Sequence, residues 1–148
     1  MRLLIQRVTR ATVSVESELI GQIGAGFLIF VGIGAEDTEQ DAQKMASKAC
    51  KLRIFDDSDG KMNLDILQTG GSALIVSQFT LYADTAKGNR PNYTQAANPS
   101  LAKSLYERFI DECITILGTE RVAQGRFGAM MDVELINDGP VTIWLDKC

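Results

Sequence analysis

The sequence predicts an α+β fold, a strand-rich single domain over residues 1–148 whose sheets form a barrel-like or layered core with two helices packed on one face. Three observations lead there. Short apolar runs punctuated by turn residues fill the first 33 positions and return after residue 130, and such runs read as strands. Two stretches carry apolar residues at helical spacing behind an N-terminal cap. No repeat, low-complexity tract or Pro/Ser-rich linker divides the chain, and 148 residues with 45% hydrophobic content can bury one continuous core.

Taken in order, Leu3 to Val8, Thr12 to Val15, Leu19 to Ile23 and Phe27 to Ile33 form an opening meander, with turns at Glu16-Ser17-Glu18 and Gly24-Ala25-Gly26. Gly32-Ile33-Gly34 also reads as turn glycines, because the third glycine of a dinucleotide fingerprint would fall at Ile29 or Asp37. Thr38, with Asp41 three residues on, caps a first helix whose apolar positions are Ala42, Met45, Ala46, Ala49 and Leu52. Asp56-Asp57-Ser58-Asp59-Gly60 is a hairpin turn, since a calcium loop would put its first ligand on Phe55. Met62 to Ile66 and Ser72 to Gln78 resume strand character. Asn98-Pro99 open a second helix as N-cap and first position, burying Leu101, Leu105, Phe109, Cys113 and Ile116 before Gly118. Met131, Val133 and Leu135 alternate with Asp132, Glu134 and Ile136, and after a Gly139-Pro140 turn Val141 to Leu145 runs as a last strand.

Composition narrows the function classes. No apolar run reaches the ~18 residues of a membrane span, and Met1-Arg2 leads straight into Leu3 without a small-residue cleavage site, so an intracellular, cytoplasmic protein with no membrane partner is expected. Cys50, Cys113 and Cys148 are odd in number and widely spaced, which indicates reduced thiols and neither a disulfide framework nor a zinc site. A formal net charge of −4 argues against a broad basic face for DNA or other long nucleic acid. An RNA end is compatible with it. Lys87 and Arg90 are the candidate phosphate contacts, and Arg121 and Arg126 bracket a later turn.

The chain has no histidine, which removes Ser-His-Asp and Cys-His triads and His-ligated zinc hydrolysis. No metal and no cofactor is expected. The segment Ser77-Gln78-Phe79-Thr80-Leu81 closes an apolar run, Ala73 to Val76, and places hydroxyls and an amide where a strand opens into a loop. Ser77 or Thr80 as nucleophile needs a base, and none stands beside them in sequence. Backbone N–H groups around Phe79 and Thr80 offer an oxyanion site instead, and one such donor is worth ~3 kcal/mol in the transition state. In Asn137-Asp138-Gly139-Pro140-Val141-Thr142 the glycine lets bare backbone approach a ligand and the proline fixes φ. Three classes remain open on these residues: a hydrolase of an activated ester, a hydrolase of another small ester, and a silent RNA-end module in which Phe79 stacks a base.

These two segments, with Ile5-Gln6-Arg7-Val8, Gly60-Lys61-Met62-Asn63, Gly88 with Arg90-Pro91 and Gly125-Arg126-Phe127, resemble the D-aminoacyl-tRNA deacylases over nearly the whole chain. The resemblance implies hydrolysis of the ester of D-aminoacyl-tRNA, and of mischarged glycyl-tRNA, with L-aminoacyl groups rejected. It implies that Ser77, Gln78, Phe79 and Thr80 line the catalytic pocket for the terminal adenosine and its aminoacyl group. It also implies that Gly139 and Pro140, through a cis peptide, enter the pocket of a partner subunit in a homodimer, and that Met131, Phe127 and Arg7 serve substrate binding and chiral selection. Water attack assisted by the substrate's own 2′-hydroxyl is the implied chemistry, with Thr80 either nucleophile or orienter. Departures are peripheral: Asn92-Tyr93 stands where Ser-Phe is common, and Met130 where an acidic residue precedes the methionine matched by Met131.

Overall fold

The computed structural model describes residues 1–147. Its central strand, β1 (Arg2–Val15), pairs antiparallel with β2 (Glu18–Ile23), β3 (Gly26–Gly32) and β8 (Asp132–Asp146). Beyond β3 the sheet continues in parallel through β6 (Ser72–Ser77) to β7 (Val122–Gln124), giving the order β2-β1-β3-β6-β7 with β8 on β1. β2 approaches β7 closely enough that a Cβ at Gly21 would lie 2.9 Å from the Gln124 carbonyl oxygen, so the sheet is nearly closed on itself. A separate hairpin, β4 (Phe55–Asp56) with β5 (Met62–Leu64), encloses the acidic turn as expected.

Both faces of the sheet are buried. On one, Leu3, Ile5, Phe27, Ile29, Val31, Ala73 and Ile75 pack under α1 (Glu39–Cys50) and α3 (Pro99–Leu117). On the other, Val8, Ala11, Val13, Leu28, Leu74 and Val76 fill the barrel interior with Met131, Val133 and Leu135. The helix caps match the sequence: Thr38 and Asp41 form a capping box, and Asn98 accepts from the Leu101 N–H with Pro99 at the first position. Two glycine-free residues, Glu16 (φ 51°) and Ser17 (φ 66°), make the left-handed two-residue turn between β1 and β2.

Three expectations need correction. Leu3–Val8 and Thr12–Val15 are one strand of 14 residues. Register shifts after Gln6 and after Val8 carry the chain past exposed Thr9-Arg10 and move its odd-numbered side chains from the helix-covered face to the barrel interior. The final two strands are likewise one, β8, with Gly139-Pro140 inside it. Ile66 belongs not to a strand but to a short helix, α2 (Ile66–Thr69), which Asp65 and Gln68 cap reciprocally. β7, of only 3 residues, and the 3₁₀ turn Phe79–Tyr82 carried no periodic signal.

Just past the carboxyl end of β3, Asp37 is buried and accepts from the Met1 amino group at 2.5 Å and from the Gly34 N–H at 2.6 Å, with Lys147 Nζ at 2.9 Å. Burial alone pushes its carboxyl up, but these donors outweigh it and hold the carboxyl below its ordinary value. A carboxyl depressed in the folded state stabilises above its unfolded pKa of ~3.9, and that contribution is lost as pH falls through the folded value. Asp37→Asn is therefore expected to cost about 3 kcal/mol near neutrality, by leaving the buried Met1 amino group unpaired. Urea unfolding should also show wild type losing more stability than the variant as pH drops below about 4. Parallel profiles for the two proteins contradict this account.

Candidate active site

β3, β6 and β7 run parallel, so the chain leaves all three at the same edge. Crevices outside the carboxyl ends of parallel strands are where such sheets bind ligands. β3 supplies Gly32-Ile33-Gly34, β6 supplies Ser77 to Thr80, and β7 supplies Gly125 to Phe127.

After Ser77 the Gln78 N–H donates to the Val31 carbonyl at 2.8 Å, and the chain winds into the Phe79–Tyr82 turn. That turn rests directly on β3. A Cβ at Gly32 would lie 2.9 Å from Leu81 Cβ, and one at Gly34 would lie 2.6 Å from the Tyr82 hydroxyl. Both are floor residues for the 3₁₀ turn; Gly34 also opens a turn of its own, as the sequence suggested, its carbonyl accepting from the Asp37 N–H at 3.2 Å, whereas Gly32 ends β3. Gln78 Nε2 donates to Thr80 Oγ1 at 2.5 Å. The Thr80 hydroxyl is thereby held in place, with one of its two acceptor positions used. No carboxylate hydrogen-bonds Ser77 or Thr80 among the described residues, and the Phe79 and Thr80 N–H groups have no backbone acceptor there, as is usual at the start of a helical turn. Phe79 is 58% exposed, with its ring edge-on to Tyr93 at 5.1 Å.

Past the end of β7, Phe127 lies 5.8 Å from the Tyr106 ring and, with Gly125, Arg126 and Lys103, lines a cleft of about 410 Å³ that none of Ser77 to Thr80 borders. The Tyr106 hydroxyl donates to the Ile75 carbonyl at 2.8 Å, and burial pushes its pKa up, so it acts as a fixed donor under the end of β6. Met131 reaches the same place: a Cβ at Gly125 would lie 2.6 Å from its sulfur and 3.7 Å from Val76 Cγ2. Ser77, Gln78, Phe79, Thr80, Phe127 and Met131 thus share one end of the sheet.

Gly139 and Pro140 lie elsewhere. Between the pairs Gln6–Thr142 and Val8–Asn137, β1 spends only Arg7 while β8 spends Asp138 to Val141, so that segment loops out of the ladder. Both residues are exposed and the bond between them is cis. Buried Arg7 ties the loop down: Nε contacts the Asp138 carbonyl at 3.2 Å and its carboxylate at 3.0 Å, and Nη1 donates to the Ile54 carbonyl at 2.8 Å. Asn137 Nδ2 bridges the carbonyls of Arg7 (2.9 Å) and Val141 (3.0 Å). Arg7 therefore holds the loop and does not reach the crevice of its own chain. Ser77 is level with Leu3, through Val31, and stands three strands from β8, so the loop and the turn are about 20 Å apart over the sheet surface.

Lys87 and Arg90 are exposed on a loop closed by paired Asp84 and Asn92, beside the Tyr93 that packs on Phe79. Arg121 is committed inward, to the carbonyls of Gly71 and Ile66. Sequence reasoning missed Arg2, Tyr82, Tyr106 and the floor glycines. Each acts through tertiary contact, and only Gly32-Ile33-Gly34 leaves a signal, which reads as a turn. Among the described residues no three Cys, Asp or Glu side chains converge as metal ligands.

A family model described as D-Tyr-tRNA(Tyr) deacylase matches residues 4–146. The chain belongs to that family. A relative from Bacillus pumilus named D-aminoacyl-tRNA deacylase is 54% identical over 147 residues, 99% of each chain. One of the same name from Fervidobacterium nodosum is 53% identical over 99% of this chain and 97% of its own. Of solved structures, the c-Myc DNA Unwinding Element Binding Protein superposes with TM-score 0.95 at 38% identity, covering 100% of this chain and 99% of its own. A probable eukaryotic D-amino acid tRNA deacylase gives TM-score 0.85 at 16% identity over 97% of both, a likeness of fold alone. Membership in the deacylase family agrees with the resemblance carried by the Ser77 and Asn137 segments and with the α+β, barrel-like fold.

Proposed function

We propose that this protein hydrolyses the ester joining a D-amino acid to the 3′ end of tRNA, releasing D-amino acid and tRNA, and leaves L-aminoacyl-tRNA intact. The observation that carries the reading is the presence, in a member of this family, of two separated parts: a turn at the sheet edge bearing Ser77 to Thr80 and an outward loop bearing Gly139-Pro140. The loop stands too far from the turn of its own chain to complete that site. This supports a homodimer in which each loop enters the crevice of the other subunit, where Gly139 and Pro140 carbonyls exclude an L side chain and admit a D side chain or the hydrogen of a glycyl group.

In this reading the Phe79 and Thr80 N–H groups receive the developing oxyanion, where preorganised donors contribute most. Thr80, held by Gln78, donates its hydroxyl hydrogen and orients the ester or water. No carboxylate hydrogen-bonds it among the described residues, which favours orienter over nucleophile. An aminoacyl ester is activated by its neighbouring 2′-hydroxyl, so water attack needs placement more than strong acid-base groups. Phe127 and Met131 wall the adenosine, and Lys87 and Arg90 meet phosphates of the acceptor end. Among the described residues no helix is long and apolar enough to cross a membrane; a cytoplasmic site of action goes with the tRNA substrate.

The test is to incubate purified protein with matched D- and L-aminoacyl-tRNA, with and without chelator, and follow free amino acid. Release from the D substrate alone, undiminished by chelation, is expected. Equal release from both, or complete loss on chelation restored by zinc, sinks the reading.

A further inference from the structure

We infer that Arg2 is a positioning residue for the hydrolysis proposed above, its guanidinium fixing the Phe79–Tyr82 turn and with it the Thr80 hydroxyl. The inference rests on that reaction but is carried by separate contacts. Arg2 Nη1 donates to the Leu81 carbonyl at 3.0 Å. That carbonyl, at the end of a 3₁₀ turn, has no backbone donor among the described residues, so the guanidinium satisfies a group the turn cannot satisfy itself. The same group lies 4.4 Å over the Tyr82 ring and 5.9 Å from the ring of Trp144, a cation–π arrangement, while Nε meets Asp146 at 3.2 Å.

The pair with Asp146 is partly exposed and contributes little on its own. The turn is the element that depends on Arg2. From below, Gly32 and Gly34 admit the turn but do not hold it. From the side, Arg2 at the head of β1 joins the residues following Thr80 to Trp144 and Asp146 at the tail of β8. Only a planar fork supplies a carbonyl donor, a carboxylate donor and a flat face to an aromatic ring at once; a lysine ammonium supplies one of these at a time.

Wild type, Arg2→Lys and Arg2→Ala are compared in three readouts. On D-aminoacyl-tRNA, Arg2→Ala should lose about 10- to 100-fold in kcat with KM within about threefold, the effect of displacing reacting groups by ~1 Å. Arg2→Lys should recover part of the loss, and added guanidinium should raise the Arg2→Ala rate. Amide exchange at residues 79–83 should quicken by about tenfold in Arg2→Ala while β1, β3 and β6 keep wild-type protection. Emission from Trp144, the chain's one tryptophan, should shift in the same order. Wild-type kcat with unchanged exchange in the turn overturns the inference, and so does exchange that quickens equally throughout the sheet. A wild-type protein inactive on D-aminoacyl-tRNA removes the reaction instead, and turn exchange then decides alone whether Arg2 holds the turn.

Discussion

Gly139→Ala is expected to lower hydrolysis of D-aminoacyl-tRNA by about 100-fold and to narrow the preference for D over L, with the fold left standing. The added Cβ would lie 2.9 Å from Asn137 Oδ1, closer than real Cβ contacts come. Asn137 cannot yield freely, because its amide nitrogen bridges the Arg7 and Val141 carbonyls. Either the loop is pushed outward or both hydrogen bonds are lost, at a cost of about 1–2 kcal/mol, too little to unfold a domain of ordinary stability. Position 139 is exposed, so no core packing is disturbed. The loss therefore falls on the geometry of the Gly139-Pro140 carbonyls. Rates on matched D and L substrates, beside a urea denaturation curve, check it. A variant that keeps wild-type rates on the D substrate and still rejects the L substrate shows that the loop is not the filter.

The parts of this molecule that were legible in its sequence are those whose signals are local. Capping chemistry at Thr38 and Asn98, most of the apolar positions of both long helices and the acidic hairpin turn depend on near neighbours and stand where expected; Leu52 falls past the end of α1, and Leu101 and Ile116 are only partly buried. The continuity of β1 and β8 was hidden because polar residues interrupt each pattern: Thr9-Arg10 in one, Asn137 to Pro140 in the other. A ladder tolerates such interruptions when the partner strand supplies a bulge opposite them, and that information lies more than a hundred residues away.

The site divides in the same way. Ser77 to Thr80 stood out because hydroxyls and an amide follow a buried run. Arg7 carried no local hint of its task, since its partners are Ile54, Asp56 and Asp138. The contacts of Arg2 with Leu81 and Trp144, and of Tyr106 with Ile75, are long-range in the same sense. Gly34 opens a turn as its sequence suggests, but the close approach of Leu81 and Tyr82 to Gly32 and Gly34 left no separate trace, because a glycine needed for close approach and a glycine needed for a turn look alike in sequence.

The central claim is that each site is built from two chains, and mixing lesions tests it most directly. Gln78→Ala removes the donor to Thr80 within the crevice, and Gly139→Ala disturbs the loop. Each variant alone should be dimeric and nearly inactive. When the two are mixed and allowed to exchange subunits, each mixed dimer gathers both lesions in one site and leaves the other site intact. Random pairing makes about half the dimers mixed, so about a quarter of wild-type D-specific activity should return, as two-fold symmetry requires. If exchange is verified by mass spectrometry and activity stays at the level of the separate variants, the Gly139-Pro140 loop acts within its own chain or not at all, and the shared-site account is wrong.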